Sequence, residues 1–123
     1  MSKSKTILLT GGAGFIGSNT LIYLFKKYPD YRYVVLDVLT YAGDMRNIPQ
    51  QIQQAPNFTF VQGDVRNRTI VNECVSKVSA VIHFAAETHV ARSISDNSNF
   101  FETDVIGTQQ VANAVWHNRD KID

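Results

Sequence analysis

The sequence is poor in the features that would settle its class at a glance. It holds one cysteine, Cys74, which excludes an internal disulfide and a cysteine metal cluster. No pair of His, Asp or Glu has convincing metal-site spacing, so no metal is expected. Charge of one sign is missing too. Twelve Lys and Arg against eleven Asp and Glu leave a net charge of +1, which offers no basic footprint for nucleic acid. Long apolar runs are absent near the start. The run at residues 7–9 ends at Thr10 and two glycines, too short for a signal-peptide core or a membrane span. Those absences lead to the expectation of a cytoplasmic protein bound to neither membrane nor nucleic acid.

What is present is ordinary for a globular chain. Hydrophobic residues make up 44% of 123 residues and charged ones 19%, enough for one domain with a modest core. Cys74, among apolar neighbours in an expected helix, reads as a small buried thiol.

Strand-like and helix-like segments alternate, which points to a parallel α/β sheet. Strands are expected at residues 6–10, 33–37, 58–62 and 80–84. Helices are expected at 15–28, near 44–53, from an Asn67 N-cap to about 77, and from an Asn99/Glu102 capping box to about His117. In the first helix, Leu24, Phe25 and Tyr28 fall within about 60° of Leu21 on the wheel. Right-handed crossovers place the strands in the order 3-2-1-4. The fold class is a Rossmann-like doubly wound sheet, incomplete at four strands. The chain stops at Lys121-Ile122-Asp123, where a fifth strand is expected. Residues 1–123 are therefore read as the N-terminal part of a dinucleotide-binding domain in a longer protein, without its substrate domain.

The strongest signal is Thr10-Gly11-Gly12-Ala13-Gly14-Phe15-Ile16-Gly17, a strand running into three glycines spaced by three and then a helix. Gly11 permits a tight turn, and Gly14 lets the backbone approach a pyrophosphate. Gly17, about 40° from Leu21, is expected on the sheet-facing side of the helix. The free N–H groups of the first helical turn then face the phosphates. Asp37 lies 20 residues after Gly17, at the end of the second strand. A carboxylate there accepts from both adenosine ribose hydroxyls and repels a 2′-phosphate, so NAD is expected over NADP. Asp64, ending the third strand, is placed to accept from the adenine amino group, with Val65 packed on the ring.

With these residues in view, the chain resembles the extended short-chain dehydrogenase/reductase family, most narrowly its nucleotide-sugar 4,6-dehydratases of the dTDP-glucose type. The resemblance rests on the glycine run, on Leu36-Asp37 with Leu39-Thr40-Tyr41-Ala42-Gly43, and on Gly63-Asp64-Val65. It rests also on His83-Phe84-Ala85-Ala86-Glu87-Thr88-His89-Val90 and on Gly107-Thr108. It implies that Phe15 and Ile16 give backbone N–H groups to the pyrophosphate. Asp37, Val38, Leu39 and Thr40 then hold the adenosine half, beside Gly43, and Asp64 and Val65 flank the adenine. Phe84, Ala85, Ala86 and Glu87 line the nicotinamide side, with Thr103 nearby. Thr88 and His89 lie near a nucleotide sugar. Three residues depart from the common pattern: Thr88 for Ser, Ala91 for Asp, and Asp104 for Asn. Asp104 falls inside an apolar helical face and is expected to need a partner.

Members of the family oxidise the sugar C4 with NAD, eliminate water across C5–C6 and return the hydride. The resemblance implies a catalytic Tyr-x-x-x-Lys pair and a Thr-Asp-Glu-type segment, which are expected beyond Asp123 and not within residues 1–123. Tyr23 and Lys27 have that spacing, but they face away from the sheet on the first helix. No catalytic residue is assigned, and the chain alone is expected to be inactive. The family further implies a homodimer through the helix between Phe100 and Trp116. His83 is expected to be hydrogen-bonded and partly buried, and His117 to suit a helix C-terminus. Two alternatives stay open: an epimerase or decarboxylase of the same family, and a non-catalytic NAD-binding module.

Overall fold

Four parallel strands, ordered β3-β2-β1-β4, form the middle layer of the protein. The computed structural model describes residues 4–39, 43–85 and 102–123. In chain order these hold β1 (Thr6–Thr10), α1 (Phe15–Lys27), β2 (Arg32–Asp37), a 3₁₀ turn (Met45–Asn47) and α2 (Gln50–Gln53). Then come β3 (Phe58–Gln62), α3 (Arg68–Val75), β4 (Ala80–His83), a π-helical segment (Glu102–Gly107) and α4 (Thr108–His117). The order matches the expected 3-2-1-4, with Leu8 of β1 opposite Val34 of β2 and Val81 of β4.

Alternation along the strands builds two cores. Leu8 and Leu36 face α3 and α4, where they bury Val71, Val75, Val111 and Ala114. Ile7, Leu9, Tyr33 and Val35 face the other way, against Leu21 of α1 and Ile52 of α2. Cys74 is buried in the first core, and burial pushes its thiol pKa up.

Several boundaries differ from expectation for local reasons. Pro29 disfavours helical backbone at the residue before it. Tyr28 accordingly leaves the helix (φ −126°, ψ 71°), and α1 ends at Lys27. Tyr28 thus misses the core and stacks on Tyr31, ring centroids 4.8 Å apart. The helix expected over 44–53 is split, because Pro49 has extended backbone and caps α2 instead of continuing a turn. Asn67 does cap α3, its side chain accepting from the Thr69 and Ile70 N–H groups, but the helix stops at Val75. Asn99 lies outside the described residues. Tyr33 carries a tie that periodicity does not show. Its hydroxyl lies 2.8 Å from the carbonyl oxygens of both Leu24 and Tyr28, closing the end of α1 over β2. Burial raises that phenol to about 12.

Candidate cofactor site

Thr10 ends β1 and Gly11 turns the chain, with φ at +71°, a backbone that favours glycine. A Cβ on Gly11 would meet the 84–85 peptide, at 2.7 Å from the Ala85 nitrogen. Gly14 is the N-cap of α1, and no side chain caps that helix. The first-turn N–H groups, Phe15 and Ile16 among them, therefore have neither an intrahelical acceptor nor a side-chain one. Phe15 is 80% exposed and Ile16 64%, so this end of the helix opens outward.

Gly17 is buried on the face of α1 that carries Leu21. A Cβ there would press on the Gly11 carbonyl oxygen and stand 2.9 Å from the Gly12 Cα. The third glycine lets α1 settle directly onto the bend made by the first two.

Asp37 is not a solvated strand end. Its side chain is buried at the end of β2. One carboxylate oxygen accepts the Ala13 N–H at 3.0 Å and the other the Leu39 N–H at 2.8 Å. The acid expected to grip a ribose thus also clips the glycine bend to the second strand. Leu39 adopts φ +60°, rare for a residue with a bulky side chain. Such strain gathers at functional sites. Gly43 completes the group, because a Cβ there would sit 2.5 Å from an Asp37 oxygen. Val38 is exposed beside them.

At the end of β3, Asp64 is held by its own neighbour. Arg66 donates from Nη2 at 2.6 Å and from Nε at 2.9 Å to one oxygen, and its N–H binds the other. This contact holds the Asp64 carboxyl below the usual carboxylate range. The Val65 side chain is buried in the first core. The same local device recurs in Asp44-Met45-Arg46-Asn47, where Arg46 Nη2 lies 2.7 Å from Asp44 and the Asn47 N–H binds the Asp44 carbonyl. The pattern Asp-x-Arg-Asn that signals it is spelled at both 44 and 64.

On the other side of β1, Phe84 and Ala85 border Gly11. The Phe84 N–H donates to the Thr10 carbonyl, and the Ala85 N–H to the Thr10 hydroxyl. His83 is hydrogen-bonded and half-buried, as expected. Thr40, Ala86, Glu87, Thr88, His89 and Ala91 lie outside the described residues, as does the side chain of Thr103. Asp104 does have company, since its charge acts on His83. His117 lies 2.7 Å from the Asn113 carbonyl at the end of α4. Tyr23 and Lys27 touch at 3.3 Å on the exposed face of α1, remote in role from this site. Among the described residues, no cluster of three or more His, Cys, Asp or Glu could hold a metal, and no helix is long and apolar enough to cross a membrane.

A side-chain-free bend under an open helix end, with a buried acid on the next strand, is a dinucleotide cradle. The sequence model of the GDP-mannose 4,6 dehydratase family matches residues 8–122. The chain belongs to that family.

Its relatives within the family narrow the comparison. The low-salt glycan biosynthesis protein Agl12 of Haloferax volcanii is 45% identical over 109 residues, covering 89% of this chain and 34% of that protein. A dTDP-glucose 4,6-dehydratase of Streptomyces antibioticus is 42% identical, covering 89% and 33%. The crystal structure of the dTDP-glucose 4,6-dehydratase DesIV from Streptomyces venezuelae, which holds NAD, superposes with a TM-score of 0.85. It is 42% identical and is covered over 36% of its length, against 93% of this chain. The chain thus spans about a third of the length of these three relatives.

Proposed function

We propose that this chain binds NAD and forms the cofactor-binding part of a nucleotide-sugar 4,6-dehydratase. Residues 1–123 then make up the N-terminal portion of its dinucleotide-binding domain. The observation that carries the reading is the Asp37 carboxylate tied to the glycine bend through Ala13. That contact puts the ribose-binding acid and the pyrophosphate-binding backbone in one rigid unit. In this reading the Phe15 and Ile16 N–H groups take the pyrophosphate. Asp37 takes the ribose diol with lone pairs left after Ala13 and Leu39. Gly43 and Val38 border that pocket and Asp64 its adenine end, with Phe84 and Ala85 on the nicotinamide side. Thr40, Ala86, Glu87 and Thr103 join the cofactor site, and Thr88 and His89 lie toward the sugar nucleotide. The bound cofactor supplies a hydride acceptor and, after elimination, a hydride donor.

Calorimetric titration tests this directly. NAD is expected to bind at least about tenfold more tightly than NADP, a difference of about 1.4 kcal/mol set by repulsion of a 2′-phosphate from Asp37. Tighter binding of NADP, or of neither, defeats the reading.

The same reading carries a homodimer through α4. Gln109, Ala112 and Trp116 share one exposed face of that helix, and Trp116 is 64% exposed. Sedimentation velocity is expected to show a concentration-dependent dimer that Trp116→Glu disperses. A wild-type chain that stays monomeric at every concentration removes that part of the proposal.

A further inference from the structure

The network around His83 has no part in holding a pyrophosphate or a ribose, yet it joins three elements at the mouth of the cradle. His83 ends β4. Its Nδ1 lies 2.5 Å from the hydroxyl of Thr10, the last residue of β1. Its Nε2 lies 3.0 Å from the hydroxyl of Thr108, the first residue of α4. Thr10 is fully buried, and its hydroxyl also accepts the Ala85 N–H at 3.3 Å. Ala85 in turn abuts Gly11, where not even a Cβ could enter.

Proton counting fixes the roles. The Thr10 oxygen accepts from Ala85, so its own proton is free to be donated to Nδ1. The ring proton then sits on Nε2 and is donated to Thr108. The opposite tautomer would leave a buried hydroxyl proton without an acceptor among the described groups, a costly arrangement. A doubly protonated ring has the same defect at Thr10.

We propose that His83 is a positioning residue for the cofactor cradle: its neutral ring orients the Thr10 hydroxyl, which holds the Ala85 amide against Gly11, and anchors α4 to that assembly through Thr108. The inference rests on the NAD reading above. Among the described residues, the charged group acting on the ring is Asp104 of the π-helical segment, which favours the protonated form. Burial acts against it more strongly, so His83 titrates below the ordinary histidine range. The sign follows from linkage. A cradle that needs the neutral ring binds fully above about pH 6.5 and loses affinity as pH falls through the His83 pKa.

The test compares NAD binding by the wild-type chain and His83→Gln from about pH 8 to about pH 5. Glutamine can still reach a hydroxyl partner but does not titrate. Wild-type affinity is expected to fall about fivefold or more across that range, and the variant to bind about threefold or more weakly than wild type at the upper end and to lack this step. Nitrogen-15 NMR of the wild type needs no variant, and is expected to show His83 with its proton on Nε2 and its pKa lowered further by NAD. An acid step equal in both proteins, or an Nδ1–H tautomer, overturns the inference and leaves the NAD reading standing. Failure of the wild type to bind NAD at about pH 8 overturns both.

Discussion

Gly17→Ala is expected to weaken NAD binding by about 100-fold, about 2.7 kcal/mol, and to cost about 3 kcal/mol of folding stability. The new methyl group meets backbone, not the end of a flexible side chain. It would overlap the Gly11 carbonyl oxygen and lie 3.0 Å from the Gly11 carbonyl carbon. Either α1 lifts off the bend or the bend deforms, and both displace the Phe15 and Ile16 N–H groups. Gly12→Ala is the matched control. Its Cβ would meet the Val35 methyl groups at 2.8 and 2.9 Å, on the core side of the bend. That change is expected to cost about 1–2 kcal/mol of stability while leaving NAD affinity within several-fold of wild type. Calorimetry and urea midpoints measure the two quantities separately. Equal loss of affinity in the two variants would show that Gly17 matters only through general stability.

Asp37→Asn is expected to cost about 2–3 kcal/mol of stability and at least about 30-fold in NAD affinity. Asparagine keeps one oxygen, so either Ala13 or Leu39 would find an amide NH₂ where its N–H had an acceptor. Two donors then face each other in a buried place. Asp37→Ala removes both acceptors and is expected to lose more stability than Asp37→Asn. A surface acid that merely repelled phosphate would show the reverse signature, with stability unchanged and NADP binding improved. Full retention of the urea midpoint in Asp37→Asn would therefore remove the clip from the account.

The topology was legible in the chain because strand and helix alternate, crossovers are right-handed, and the glycine motif marks a dinucleotide-binding sheet, whose usual order begins 3-2-1-4. The bend was legible because Gly11, Gly14 and Gly17 stand between a strand and a helix. What the sequence hides shares one cause. Periodicity tells which face of an element a residue occupies, not what comes to meet that face. Gly17 shares the buried face of α1 with Leu21, and the wheel does not show that the bend itself meets that turn. Val65 lies in the turn after β3, and its spacing does not show that this turn sends its side chain to the core. The partnership of Asp37 with Ala13 spans 24 residues and has no local signature. Leu39 carries its positive φ without a glycine to announce it. The Asp-x-Arg-Asn repeat was written in the sequence and readable in principle, since an Asp side chain two residues before a backbone N–H is a known turn former.

That repeat bears on how the chain finds its shape. Each clasp closes over only a few residues, so its entropic cost is small beside that of pairing β1 with β4. The residue inside the first, Met45, packs on the core beneath α1, and the one inside the second, Val65, on the opposite core. Rapid, short-range ordering of two segments would thus present one apolar side chain to each layer before the sheet assembles. Traces of such order near residues 44–47 and 64–67 are what the denatured ensemble would retain.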